Sequence, residues 1–248
     1  MTKLYSLILL LFCSQAWAVP LFVQTDGSAT ARRGTSPFAV NPLFAAPNVI
    51  HDQIFVWAFA ETGSAVTISD NCDASTNYNT YTQIVSNVSD GVGGVWSAWM
   101  AYDILACTST GINGVGYTVT ATGGGTVEFD AAEYSGLKAA GFDKGPASAN
   151  GLTSSAVTPT CASELLVGLI MGGDGGTNSV QGTGWTLRNR NSAGDRNPGM
   201  EDQIVTSITS YSATWASSSG TTQTSILTFK AATCSASSTV PGQYPRAQ

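Results

Sequence analysis

Runs of four to eight β-prone residues, each bounded by Gly, Ser, Asn or Asp, recur along this chain, and helical periodicity is nearly absent. They fall at 21–25, 54–60, 65–69, 78–85, 95–102, 116–122, 126–134, 164–171, 184–190, 203–208, 210–216 and 222–231. Some alternate cleanly: Tyr117, Val119 and Ala121 share one face, as do Tyr211, Ala213 and Trp215. Others, "IFVWAFA" and "ELLVGLIM", are apolar throughout, the pattern of central strands covered on both faces. Many short strands without helices restrict the chain to an all-β sandwich or barrel.

The second constraint is an internal resemblance. Each half opens with an apolar strand (54–60 or 165–171) and continues with an aromatic-Thr strand, Tyr81-Thr82 or Trp185-Thr186. A strand near a methionine follows, Met100 or Met200, then a Tyr-x-x-Thr strand, a Gly/Ser hairpin and a closing strand. The expected fold is a jelly-roll-like sandwich spanning 49–234, built from two Greek-key halves at about 49–140 and 156–234 around a shared core. Two independent domains are the alternative, with the Gly/Ser-rich stretch 141–155 as linker.

The first 18 residues, "MTKLYSLILLLFCSQAWA", read as a secretory signal peptide: one lysine, a short apolar run, then small residues for cleavage. No later apolar run is long enough for a membrane helix. Residues 19–48 read as an N-terminal strand and an irregular segment, and the polar 235–248 as a disordered tail. The formal net charge of −6 becomes one unit more negative when Lys3 leaves with the leader. Such an acidic chain disfavours nucleic acid and anionic membrane as partners. Four of the five cysteines follow the leader, an even number that predicts two disulfides in an exported protein. Strand order brings Cys161 beside Cys234 and Cys72 beside Cys107.

In "VEFDAAEYSG", Val127, Phe129 and Ala131 share one face and Glu133 falls on that face too. A carboxylate leaving water needs a charge partner or several hydrogen bonds. By the pseudo-symmetry of the halves, Glu133 and His51, the only histidine, are expected to pair where the other half places Cys161–Cys234. A β-bulge at Ala131-Ala132 that turns Glu133 outward is the alternative. A lone histidine and the absence of a GxSxG turn argue against a nucleophilic triad. Carboxylate chemistry keeps Glu133, Glu201 and Asp202 as weak catalytic candidates, which would have to face one another across a cleft. No cofactor is expected, calcium excepted: Asp70, Asn71 and Asp73 in one Asx-rich loop could hold it. Trp99, Trp185 and Tyr78, with Asp174 and Asn178 in a Gly-rich loop, are candidate ligand-binding residues, since exposed rings beside Asx side chains suit sugars.

"AAEYSG", "SELLVGL", "MEDQIV", "YSATW" and "LTFKAA" together resemble a loosely defined set of exported bacterial β-sandwich proteins, over roughly 54–232. The resemblance implies fold and export, and brings no catalytic residue with it. The expected function is non-enzymatic binding to polysaccharide or a cell-surface component. A structural subunit of a filament, coat or matrix, self-assembling through its N-terminal strand, is the first alternative, and a secreted carboxylate-dependent hydrolase the second.

Overall fold

The computed structural model describes residues 19–25, 33–40, 44, 46–63, 65–70, 79–91, 93–105, 117–171, 180–190, 198–217 and 222–234. All regular elements among them are strands: β1 (Leu21–Thr25), β2 (Arg33–Thr35), β3 (Phe38–Val40), β4 (Gln53–Ala60), β5 (Val66–Asp70), β6 (Tyr81–Ser89), β7 (Val95–Ala101) and β8 (Tyr117–Ala121). They continue with β9 (Thr126–Ser135), β10 (Leu137–Asn150), β11 (Glu164–Met171), β12 (Val180–Gln181), β13 (Thr186–Arg190), β14 (Gly199–Val205), β15 (Trp215–Ser217) and β16 (Gln223–Ala231).

Every pairing between these strands is antiparallel, and the halves repeat one scheme. β4 pairs β9, β5 pairs β8 and β6 pairs β7; β11 pairs β16, β12 pairs β15 and β13 pairs β14. The repetition extends to β4 beside β7 and β11 beside β14. Each half thereby forms its own large sheet: sheet I, ordered β1-β9-β4-β7-β6 with β2 also on β9, and sheet II, ordered β10-β16-β11-β14-β13. A three-stranded sheet, β3-β8-β5, and the pair β12-β15 complete the set.

Strand parity decides how the sheets stack. On β4, Phe55, Trp57 and Phe59 face sheet II and meet Leu165, Val167, Leu169, Leu227 and Phe229. Ile54, Val56 and Ala58, on the other face, pack under Val66, Val119 and Ala121 of the three-stranded sheet. On β11, Leu166 turns away from sheet I and joins Trp185, Val205, Ala213 and Ile226 in a third cluster. The two large sheets thus share one core, and each has a second core on its far side. This is why "IFVWAFA" and "ELLVGLIM" are buried at every position.

Polar side chains also cross the shared core. Tyr134 donates its hydroxyl to Asp202 at 3.0 Å, Asn189 donates to Asp130 at 2.8 Å, and Trp96 donates to Gln223 at 3.2 Å. Arg188 pairs with Asp202 at 2.7 Å, and its guanidinium lies 3.7 Å over the ring of Phe22. Phe22 meets Tyr134 edge-on at 5.9 Å, so β1, a strand of sheet I, is also held by a side chain of sheet II. Beyond Phe22, the carbonyl of Val19 lies where a Cβ on Gly136 would be, at 2.4 Å. Only glycine, there with φ of +72°, lets the chain pass.

Each run read from the sequence overlaps a strand, but β2, β3, β10 and β12 had no run to mark them. The largest correction is β10. Most of the stretch 141–155, read as a possible linker, belongs to this 14-residue strand, which pairs with β16 and ends at Asn150. Gly141, Gly145 and Pro146 break its pattern, and its register shifts between Leu137 and Phe142, Phe142 and Lys144, and Lys144 and Ala147. An edge strand tolerates such interruptions because one side of its backbone has no ladder to keep.

Candidate functional site

Glu133 is fully buried on the outer face of sheet I, opposite Ile54. The bulge that would turn it outward does not form, because the β9–β4 register runs unbroken from Val127 to Tyr134. Asn48 donates its side-chain amide to Glu133 at 2.7 Å, the Val49 N–H donates at 2.7 Å, and Gln24 donates its amide as well. The carboxylate therefore ties the segment before β4, and β1, to the end of β9. His51 is not its partner. That residue is 79% exposed, sits at φ of +72° in a turn, and its Nδ1 meets Asp103. Asp52, buried beside Glu133, has its pKa pushed up to about 6 by loss of solvent and by the Glu133 charge.

The corresponding end of the second half holds the Cys161–Cys234 disulfide, with Cα atoms 5.9 Å apart. The Cys161 N–H donates to buried Glu164 at 2.8 Å, and burial raises the Glu164 pKa to about 7. Next to it Lys230 pairs with Asp143 at 2.9 Å. Cys161–Cys234 is the one disulfide among the described residues; Cys72 and Cys107 lie outside them.

The three carboxylates considered for acid–base work do not face a common cleft. Glu133 points to the outer side of sheet I, and Asp202 lies in the shared core, on Tyr134 and Arg188. Glu201 points to the far side of sheet II, where it accepts from the Gly182 N–H at 3.1 Å. That site is tight, since a Cβ on Gly168 would lie 2.8 Å from the Glu201 side chain. Burial pushes the Glu201 pKa up to about 8, against the hydrogen bonds from Gly182 and Thr214. Asp202 is also raised by burial, which outweighs the pull of Arg188 and Tyr134. All three are closed to a substrate.

The expected aromatic platform is not at the tryptophans either. Trp99 packs in the outer core of sheet I and Trp185 in the far core of sheet II, both less than a tenth exposed. Tyr78, Asp174 and Asn178 lie outside the described residues.

An aromatic ring and Asx side chains line one surface opening together. A cleft of about 420 Å³ opens beside the end of β5, lined by Ile68, Ser69, Asp70, Asn79 and Tyr81. On β5, Val66 and Ile68 turn toward the outer core, and Asp70 follows on the same face, 7% exposed. Asn79 holds it there: the amide donates to Asp70 at 3.1 Å and accepts from the Leu105 N–H at 3.0 Å. Tyr81, the first residue of β6, packs partly on the outer core and lines the cleft with the rest of its surface. The end of β5 and the start of β6, with the backbone of Leu105, thus set one carboxylate, one amide and one phenol around an opening. Asp70 is also the only one of the three proposed calcium ligands in the described residues; Asn71 and Asp73 fall outside them. Among the described residues, no three His, Cys, Asp or Glu side chains are grouped to hold a metal ion. Asn79 and Ser69 carried no signal in the sequence; Asp70 did, because it extends the buried face of "VTISD" as Glu133 extends that of "VEFDAAE".

Among the described residues, no helix is long and apolar enough to cross a membrane. The disulfide is compatible with an extracellular protein. No family model, curated protein or solved structure matches the chain.

Proposed function

We propose that this chain is an exported, non-enzymatic β-sandwich that binds polysaccharide, or a similar hydroxyl-rich component of a cell surface, in the cleft beside Tyr81. The observation that carries the reading is the cleft itself, where a partly exposed ring stands beside a fixed carboxylate and a fixed amide. Rings stack on the apolar face of a pyranose, while carboxylates and amides take its hydroxyls. The leader-like first 18 residues and the disulfide support export, and the resemblance to exported bacterial sandwich proteins belongs to the same proposal. For the fold, we read the nested pairing of first strand with sixth, second with fifth and third with fourth as a rolled hairpin, so that each half is jelly-roll-like.

Binding to a panel of insoluble and soluble polysaccharides is the test. Retention on at least one glycan, weakened about tenfold by Tyr81→Ala with the melting temperature little changed, is expected. Glycan binding that ignores Tyr81→Ala would move the site elsewhere; silence across the panel would end the proposal. The self-assembling reading keeps one favourable observation: β1 is a terminal strand at a sheet edge, with Leu21 and Val23 exposed. Size-exclusion chromatography across a concentration series decides it, a strictly monomeric profile counting against assembly.

A further inference from the structure

We propose that Lys230 and Asp143 condense into an amide between their side chains, a self-made covalent cross-link with Glu164 as its acid–base group.

The three groups stand on three consecutive strands of sheet II, Asp143 on β10, Lys230 on β16 and Glu164 on β11. Lys230 lies directly opposite Glu164 in the β16–β11 ladder. Asp143 comes to them through a break in the other ladder. Phe142 faces Phe229 and Lys144 faces Thr228, so Asp143 is the extra residue of a bulge. A bulge re-aims a side chain that strand parity would send elsewhere. Lys230 Nζ lies 2.9 Å from Asp143 Oδ1, and the Asp143 side chain is only 3% exposed. Thr160 pins the same carboxyl, its N–H donating to Oδ2 at 2.8 Å and its hydroxyl to Oδ1 at 2.7 Å. Glu164 is fully buried, and the Cys161 N–H holds it at 2.8 Å. Burial raises the Glu164 pKa to about 7 and the neighbouring Asp143 adds to the rise, so Glu164 keeps a proton that a free glutamate would have released. For a structural ion pair this second carboxyl is a liability. For condensation it is a reagent.

The step balances without an outside co-reactant. Lys230 passes a proton to the carboxylate it touches, which leaves a neutral amine facing a carboxylic acid. Nζ attacks Cγ of Asp143 and a C–N bond forms. The Thr160 N–H stabilises the oxygen that turns negative, as backbone donors do at other tetrahedral centres. Glu164 gives its proton to the other oxygen, the C–O bond breaks and water leaves. Glu164 then takes a proton back from the nitrogen, so the sum is ammonium plus carboxylate to amide plus water. Between free groups in water such a condensation is uphill, but fixed contact supplies effective concentrations of about 10⁵–10⁸ M. The covered carboxyl also keeps bulk water from reversing it. The amide fastens β10, an edge strand with a broken register, to β16. Unlike Cys161–Cys234, it is indifferent to redox conditions.

Mass spectrometry of the purified, reduced and denatured chain tests this. The expected mass is one water below that of the sequence counted from the observed N-terminus. Trypsin should spare Lys230, and fragmentation should show one branched species that joins the Lys230 peptide to the Asp143 peptide. Lys230→Arg keeps the charge and Asp143→Ala removes the electrophile; each should restore the full mass. In Glu164→Gln, chains harvested soon after synthesis should still have the full mass, because losing the acid–base group slows the step by about a hundredfold or more. Circular dichroism checks that each variant folds. A parent chain of full mass overturns the proposal outright, whatever the variants do. So does a lost water that fragmentation places within the Asp143 peptide alone, which would be a cyclic imide. A cross-link that forms as fast in Glu164→Gln as in the parent overturns the part given to Glu164.

Discussion

The two halves face the same topological problem and close by different chemistry. In each, the strand that opens the half lies beside the strand that ends it, so the incoming and outgoing chain meet at one end of a sheet. The second half joins them with Cys161–Cys234. The first half uses Glu133, which takes hydrogen bonds from Asn48, Val49 and Gln24. Topology sets where a latch is needed and leaves its chemistry open. The covalent latch works chiefly by restricting the unfolded chain, whereas the carboxylate latch exists only in the folded one, where burial makes every unmet partner costly. The first should therefore tolerate changes of solvent that the second does not.

Removing the covalent latch should give the largest effect. Cys161→Ser with Cys234→Ser opens a loop of 73 residues, worth ~4 kcal/mol in the chain-entropy model. At ~2–4 °C per kcal/mol for a domain of this size, the melting temperature should fall by roughly 8–16 °C. Calorimetry on the double variant reads this directly, and an unchanged melting temperature would break the comparison from the covalent side. Glu133→Ala comes next, at ~3 kcal/mol, because it strands the buried Asn48 amide together with the part-buried donors of Val49 and Gln24. Glu133→Gln keeps an acceptor oxygen and should lose roughly half as much. If denaturant midpoints place Glu133→Ala within error of the parent, Glu133 is no latch.

Acidity separates the halves in a third way. Glu201 and Glu164, both in the second half, are pushed by burial to about 8 and about 7 from 4.5. Between pH 4.5 and 8 the folded protein keeps a proton on Glu201 that the unfolded chain has released. Stability is thus full below pH 4.5 and declines as pH rises toward 8. Glu201→Gln removes the titration and keeps the shape. It should raise stability at pH 8 by on the order of 2 kcal/mol and leave it nearly unchanged at pH 4. Asp52 in the first half reaches only about 6, so its decline ends earlier. Chemical denaturation at pH 4, 6 and 8 gives the curve, and a gain of equal size at all three would refute it.

A smaller effect is expected where the halves meet. Tyr134→Phe removes the hydroxyl that bonds Asp202 across the shared core and should cost ~1–2 kcal/mol. A neutral result would mean that Arg188 alone satisfies Asp202.

What the sequence revealed and what it hid follow from how far each signal reaches. Strand alternation is local, so the all-β class and the order of the halves could be read from it. The anomaly of Glu133 was visible for the same reason, since parity put it beside Phe129. The partners were not, because Asn48 and Gln24 reach it through tertiary folding. Parity alone places Trp96 and Trp99, three residues apart, on opposite faces but does not tell that sheet I is covered on both, so that Trp96 enters the shared core and Trp99 the outer one. The strand β10 was hidden because its breakers, Gly141, Gly145 and Pro146, are compatible with pairing only where register shifts at an edge absorb them.

His51 gives the smallest prediction and the sharpest check on the comparison. As the only histidine it drew attention as a chemical group, yet its position in the turn before β4 has a backbone explanation. Its φ of +72° is a conformation that glycine adopts freely and other residues enter at some cost. Its contact with Asp103 is made between two largely exposed side chains, a kind of pair that contributes ~0.5 kcal/mol or less. His51→Gly therefore gives up a weak pair and relieves the backbone, and its two small effects nearly cancel against the extra freedom of glycine in the unfolded chain. His51→Ala loses the pair and keeps the unfavourable φ, so it should be the less stable of the two, by under ~1 kcal/mol. If His51→Ala instead destabilised the protein as much as Glu133→Ala, histidine and glutamate would act as one unit, and the first half would be latched by a charge pair after all.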